Sequence, residues 1–96
     1  NRTLNAQEAF DFQLINAIYP VEDYLDSAIA LAKQIASRAP LAVQAGKAAV
    51  NKALDTHLAE GLEDERQLFY LLFASEDQHE GMQAFLEKRD PDWKGL

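Results

Sequence analysis

Apolar residues recur every three to four positions along much of the chain. Leu25, Ala28, Ile29, Ala32, Ile35 and Ala36 form one such stripe. That period predicts an amphipathic helix over about 21–38. Glu22 and Asp23 would lie in its first turn and Arg38 in its last, the placement that the helix dipole favours. Pro40 breaks this helix and can occupy the first turn of the next, expected over about 40–54. There Val43, Gly46, Lys47, Val50 and Leu54 share one side, and alanines elsewhere allow close neighbours. The pattern loosens over 55–59, where Asp55 and Thr56 are candidate caps. A third long helix is expected over about 58–74, with Leu62, Phe69, Leu72 and Phe73 on its core side. Ser75 followed by Gln78 has the capping-box form and opens a last helix over about 76–89. Its inner face should carry Met82, Phe85 and Leu86, and Pro91 ends the regular structure.

The first twenty residues are patterned differently. Asn5 and Glu8 form a second capping box, which predicts a short helix through about Phe12. Leu14 to Tyr19 alternates weakly and is rich in β-formers, so one short strand or extended segment is expected before Pro20. The chain therefore reads as mainly α: a short helix, a short extended segment, then about four helices.

Ninety-six residues make one domain or a piece of one. With 48% hydrophobic and 26% charged residues, the balance is that of a folded chain. The net charge of −7 repels nucleic acid and anionic membranes, so neither is expected as a partner. No apolar run approaches the roughly 18–20 residues of a membrane span. The absence of cysteine removes disulfides, thiolate metal sites and cysteine nucleophiles together. The chain opens at Asn1 rather than Met, which suggests a fragment or a trimmed product.

Most candidate chemistry fails on residue type or spacing. The four glycines are scattered, so no phosphate-cradling loop forms. His57 with Glu60, and His79 with Glu80, offer two ligands each where zinc wants at least three, so no metal is expected. Glu63 and Asp64 read as a solvated helix face. Glu65 lies toward the core side, three residues from Leu62 and four from Phe69. Lys47 lies between Val43 and Val50. Buried charge needs a partner, so Lys47 and Glu65 are candidate members of a structural ion pair. No second acid or base stands beside Glu65 in the sequence, so it is not read as catalytic.

One patch stands out. Phe85 and Lys88 lie three apart on a helix face, and Arg89, Trp93 and Lys94 follow. This stretch is basic and aromatic in an acidic chain. An aromatic plane beside an ammonium suits an adenine ring bearing phosphates. The same residues also fit a plain structural role, with Phe85 in the core and Lys88 closing the helix C-terminus.

The ordered motifs resemble a known family. They are Ala39-Pro40-Leu41-Ala42-Val43, Lys47 to Asn51, Gly61-Leu62, Glu65-Arg66, Leu68-Phe69-Tyr70, Leu72 to Asp77, and above all Glu80-Gly81-Met82-Gln83-Ala84-Phe85-Leu86-Glu87-Lys88-Arg89-Asp90-Pro91. Together with Arg2, Leu4, Ala6, Glu8-Ala9, Leu14-Ile15-Asn16 and Pro20, they look like the C-terminal part of an enoyl-CoA hydratase of the crotonase (enoyl-CoA hydratase/isomerase) family. The resemblance covers essentially the whole chain.

It implies a parent protein with an α/β core of ββα spiral turns, followed by a helical region used in trimer assembly, with trimers often paired into hexamers. Residues 1–20 would end the segment linking core to tail, and 21–96 would form the helical oligomerisation and CoA-contacting region. The parent would add water to 2-enoyl-CoA thioesters, using two glutamates and a backbone oxyanion hole that belong to the upstream core. This chain alone would not be catalytic. Acyl-CoA would be its substrate, with no separate cofactor. Phe85 and Lys88 match the positions that help hold the adenine nucleotide of CoA, and Phe69 falls where the tail can approach the acyl pocket. The compartment implied is the cytoplasm, or the mitochondrial matrix in a eukaryote. Gln13, and Asn1 before Arg2, stand where the family commonly has glycine, at turns where glycine permits φ > 0. The rival expectation is a stand-alone acidic helical module that binds a protein partner without catalysis.

Overall fold

The computed structural model describes residues 2–96, so the expectation attached to Asn1 lies outside the described residues. Five helices follow in order: α1 (Ala6–Asp11), α2 (Tyr24–Ala36), α3 (Pro40–Lys52), α4 (Leu58–Leu72) and α5 (Glu76–Glu87). No strand occurs among the described residues. The segment between α1 and α2 has turns and bends over 12–16 and no regular element over 17–20, so the expected strand does not form there. The chain divides into two compact units, one up to Gln34 and one from Ile35 to Leu96.

In the first unit the capping box of α1 is complete. The Glu8 N–H donates to Asn5 Oδ1 at 2.8 Å, and the Asn5 N–H donates to Glu8 Oε2 at 3.0 Å. The helix ends on Gln13, which takes a left-handed φ of 59°. The Gln13 N–H returns to the Phe10 carbonyl and the Leu14 N–H to the Ala9 carbonyl, each at 2.9 Å. These paired bonds form a Schellman motif, which normally has glycine at the left-handed position. Here a glutamine adopts that conformation. Pro20 opens a turn, closed by the Asp23 N–H on its carbonyl at 3.0 Å, rather than the helix itself. The helix begins three residues later than expected, so Glu22 and Asp23 precede it and Asp26 is the acid of its first turn. Lys33 rather than Arg38 is the base of its last turn.

In the second unit Pro40 is at the start of α3, as its fixed φ dictates. The helices α3 and α4 pack against one another. Lys52 of α3 pairs with Asp64 of α4, and Ala48, Leu68 and Leu71 line the same surface recess. Their connection is capped differently from expectation. The N-cap of α4 is His57, without a side-chain bond. Thr56 turns back instead, its hydroxyl donating to the Lys52 carbonyl at 3.1 Å. The α5 cap is as read from the sequence on one side: Ser75 Oγ accepts the Gln78 N–H at 3.2 Å. The same hydroxyl donates to the Leu72 carbonyl at 2.7 Å, tying the end of α4 to the start of α5.

The expected inner face of α5 is corrected. Met82, Phe85 and Leu86 are exposed, whereas Asp77 and Ala84 are buried, at 3% and 1% exposure. Half-buried Glu80 and Gly81 complete a stripe with Asp77 and Ala84 at helical spacing, and the residues after α5 fold back along it. The helix thus turns its small and acidic side inward and leaves its apolar side outward. The hydrophobic period identified the apolar side but not what that side meets.

Candidate functional site

The candidate site is the end of α5 and the residues after it. Lys88 takes a left-handed conformation, φ 54° and ψ 43°. Its N–H reaches the Phe85 carbonyl, and the Arg89 N–H reaches the Ala84 carbonyl at 3.1 Å. This is a second Schellman motif with a side chain where glycine is usual. It reverses the chain so that residues 89–96 run back beside α5.

Four attachments hold that return. Glu80 accepts an N–H from each terminal guanidinium nitrogen of Arg89, at 2.5 and 3.0 Å, and the Asp92 N–H at 2.7 Å. Asp77 accepts the Lys94 N–H at 2.6 Å and the Gly95 N–H at 3.0 Å. The indole N–H of Trp93 donates to the Ser37 carbonyl at 2.9 Å, joining residues 56 apart in sequence. The Glu76 N–H, free at the start of α5, donates to the Leu96 carbonyl oxygen at 2.7 Å. Gly81 lets the indole approach: a Cβ there would stand 3.1 Å from Cη2 of Trp93. The hydrogen bonds from Arg89, then that from Asp92, hold the Glu80 carboxyl down to about 2. Arg89 is raised by the same bond.

The basic cluster seen in the sequence is therefore divided. Arg89 is neutralised by Glu80 and by Glu87, whose carboxylate it also meets at 2.6 Å. Hydrogen bonds from Gln83 and then Arg89 lower the Glu87 carboxyl. Lys94 is paired with Asp92. Lys88 forms no ion pair among the described residues. Phe85, one turn before it, is 79% exposed. Lys88 closes the helix through its backbone, and its ammonium forms no ion pair among the described residues.

Phe69 lies elsewhere in the same unit. It packs edge-on against Phe73, with ring centroids 5.2 Å apart. Together with Leu72, Met82 and Trp93 it lines an apolar groove of about 290 Å³. Lys47 and Glu65 are both exposed, and no ion pair joins them among the described residues. The pair linking α3 to α4 is Lys52 with Asp64, at 3.7 Å. No group of three His, Asp or Glu side chains converges as a metal site among the described residues. No described helix is long and apolar enough to cross a membrane.

Sequence reasoning missed Asp77, Glu80, Gly81 and Ser37. The first three carried a readable signal, since with Ala84 they form an i, i+3, i+4, i+7 stripe of small and acidic residues. Ser37 carried none, because it acts through its backbone carbonyl.

The comparisons with known proteins agree with this architecture. The model of the enoyl-CoA hydratase/isomerase family matches residues 1–96. The chain is 45% identical, over 97% of its length, to 2,3-dehydroadipyl-CoA hydratase of Escherichia coli (strain K12), of which it covers 36%. It is 42% identical, over 95% of its length, to the mitochondrial enoyl-CoA hydratase of Pongo abelii, of which it covers 31%. Among solved structures it superposes on an enoyl-CoA hydratase from Bacillus anthracis with a TM-score of 0.90 and 38% identity, over 95% of this chain and 35% of that one. The chain thus spans about a third of the length of the curated relatives it matches. It belongs to the enoyl-CoA hydratase/isomerase family.

Proposed function

We propose that this chain is the C-terminal helical part of an enzyme that adds water to 2-enoyl-CoA thioesters, and that its own share of the site is the nucleotide end of CoA. One observation carries the reading: Arg89 and Lys94 are neutralised by carboxylates, while Lys88 has no ion-pair partner among the described residues and stands one turn after the exposed ring of Phe85. A flat ring suits adenine, and an unpaired ammonium suits a phosphate. The groove beside Phe69 is apolar, as an acyl chain would require.

The catalytic glutamates and the oxyanion hole would come from the rest of the protein. Exposed apolar residues on α3 and α4, such as Val50, Leu58, Leu62 and Phe69, suit a surface that the rest of the protein or neighbouring subunits of a trimer would cover. Such an enzyme would work in the cytoplasm, or in the mitochondrial matrix of a eukaryote.

The test uses the whole protein. Phe85→Ala and Lys88→Gly are each expected to raise KM for crotonyl-CoA about tenfold and leave kcat within about twofold, as loss of one charge-assisted or stacking contact predicts. Glycine is the cleaner deletion at 88 because it takes the left-handed conformation without strain. Unchanged KM in both variants would overturn the CoA contact.

A further inference from the structure

We propose that Glu80 is a positioning residue for the nucleotide end of the substrate: by gripping Arg89 and the Asp92 N–H, its carboxylate sets the turn that carries Lys88. The inference rests on the CoA contact proposed above. A lysine ammonium rides on a flexible four-carbon stem, so its reach is decided by where the backbone starts that stem. At Lys88 the backbone is left-handed and reverses direction within one residue. On its N-terminal side the reversal is held by bonds to Ala84 and Phe85. On its C-terminal side it is held first by Glu80, which gathers three N–H groups from Arg89 and Asp92. Asp77 takes hold only at Lys94 and Gly95.

Charge gives a second reason. A bare carboxylate beside an anion site repels the anion, and a bare guanidinium competes with Lys88 for it. Shared by Glu80 and Glu87, Arg89 is not free to compete for the anion, and Lys88 is the cation of the turn without an ion pair among the described residues. The partners facing Glu80 are Arg89 and the Asp92 backbone, with Lys94 further off.

The experiment compares two substrates of the whole protein, crotonyl-CoA and crotonyl-pantetheine, which lacks the nucleotide. Glu80→Gln is expected to raise KM for the CoA thioester about five- to tenfold, with kcat and both constants for the pantetheine thioester within about twofold. Arg89→Gln is expected to do the same, and it stands in should Glu80→Gln not fold. The double variant is expected to be no worse than either single one, since both remove one contact. Equal losses on both thioesters would make the grip merely structural and overturn the proposal. So would additive effects, or a lower KM from an Arg89 released to bind phosphate. Lys88→Gly separates the two readings. If it raises KM only for the CoA thioester while Glu80→Gln does not, the positioning role alone falls. If neither variant distinguishes the two thioesters, the CoA contact falls with it.

Discussion

The α3–α4 pair and the α5 return segment lie in one unit and solve the same problem in opposite ways. Around α5, buried or half-buried carboxylates are fully engaged: Asp77 accepts two backbone N–H groups, and Glu80 accepts a guanidinium and a third N–H. Between α3 and α4 the one cross-helix carboxylate is loosely held. Asp64 Oδ2 is buried without a hydrogen bond, 3.7 Å from Lys52 Nζ. The apolar residues there, Leu54 and Leu58 among them, stay exposed. Polar satisfaction close in sequence makes the α5 end self-sufficient. At α3–α4 an apolar face stays uncovered within this chain.

The largest expected effect tests the first half of that contrast. Asp77→Ala leaves the Lys94 and Gly95 N–H groups without an acceptor beside a buried helix face, at a cost of about 2–3 kcal/mol. Urea unfolding of the 96-residue chain measures it, and a loss below about 0.5 kcal/mol would show that the return segment is held by other means. An intermediate effect comes from acid. The folded Glu80 carboxyl is lowered from 4.5 to about 2, so its contribution is complete above pH about 4.5 and is lost as pH falls toward 2. Glu80→Gln is expected to flatten the fall in stability over that window, and an unchanged acid profile would remove Glu80 from the account. The smallest effect tests the other half. Leu54 is 88% exposed, so Leu54→Ser should shift the stability of this chain by no more than about 0.5 kcal/mol. A loss as large as that of Asp77→Ala would erase the contrast.

Legibility in the sequence followed the range of each interaction. The caps at Asn5 and Ser75 and the proline opening α3 were readable because each involves residues within one turn. Pro20 misled, since a proline that fits a helix start fits a preceding turn equally well. The inward face of α5 was misread because periodicity shows which side is apolar, whereas the segment folding onto the other side begins only beyond the helix. Phe85 and Lys88 were read as sharing a helix face from their spacing, and Phe85 lies one turn before the Lys88 cap. The separation of Lys88 from Arg89 and Lys94 was not legible, because it depends on Glu80 lying nine residues before Arg89 and twelve before Asp92. Lys47 and Glu65 were read as ion-pair members from their positions among apolar neighbours, and both are exposed in this chain.

Trp93 is the sole tryptophan of the chain. Its indole rests against Gly81, is hydrogen-bonded to Ser37 and lines the groove beside Phe69, so it marks closure of the return segment. Intrinsic fluorescence selectively excited at that ring is therefore a built-in optical gauge of the turn carrying Lys88. A shift of emission toward longer wavelength on loosening of that segment, and its reversal on addition of coenzyme A, would follow the site without any attached label.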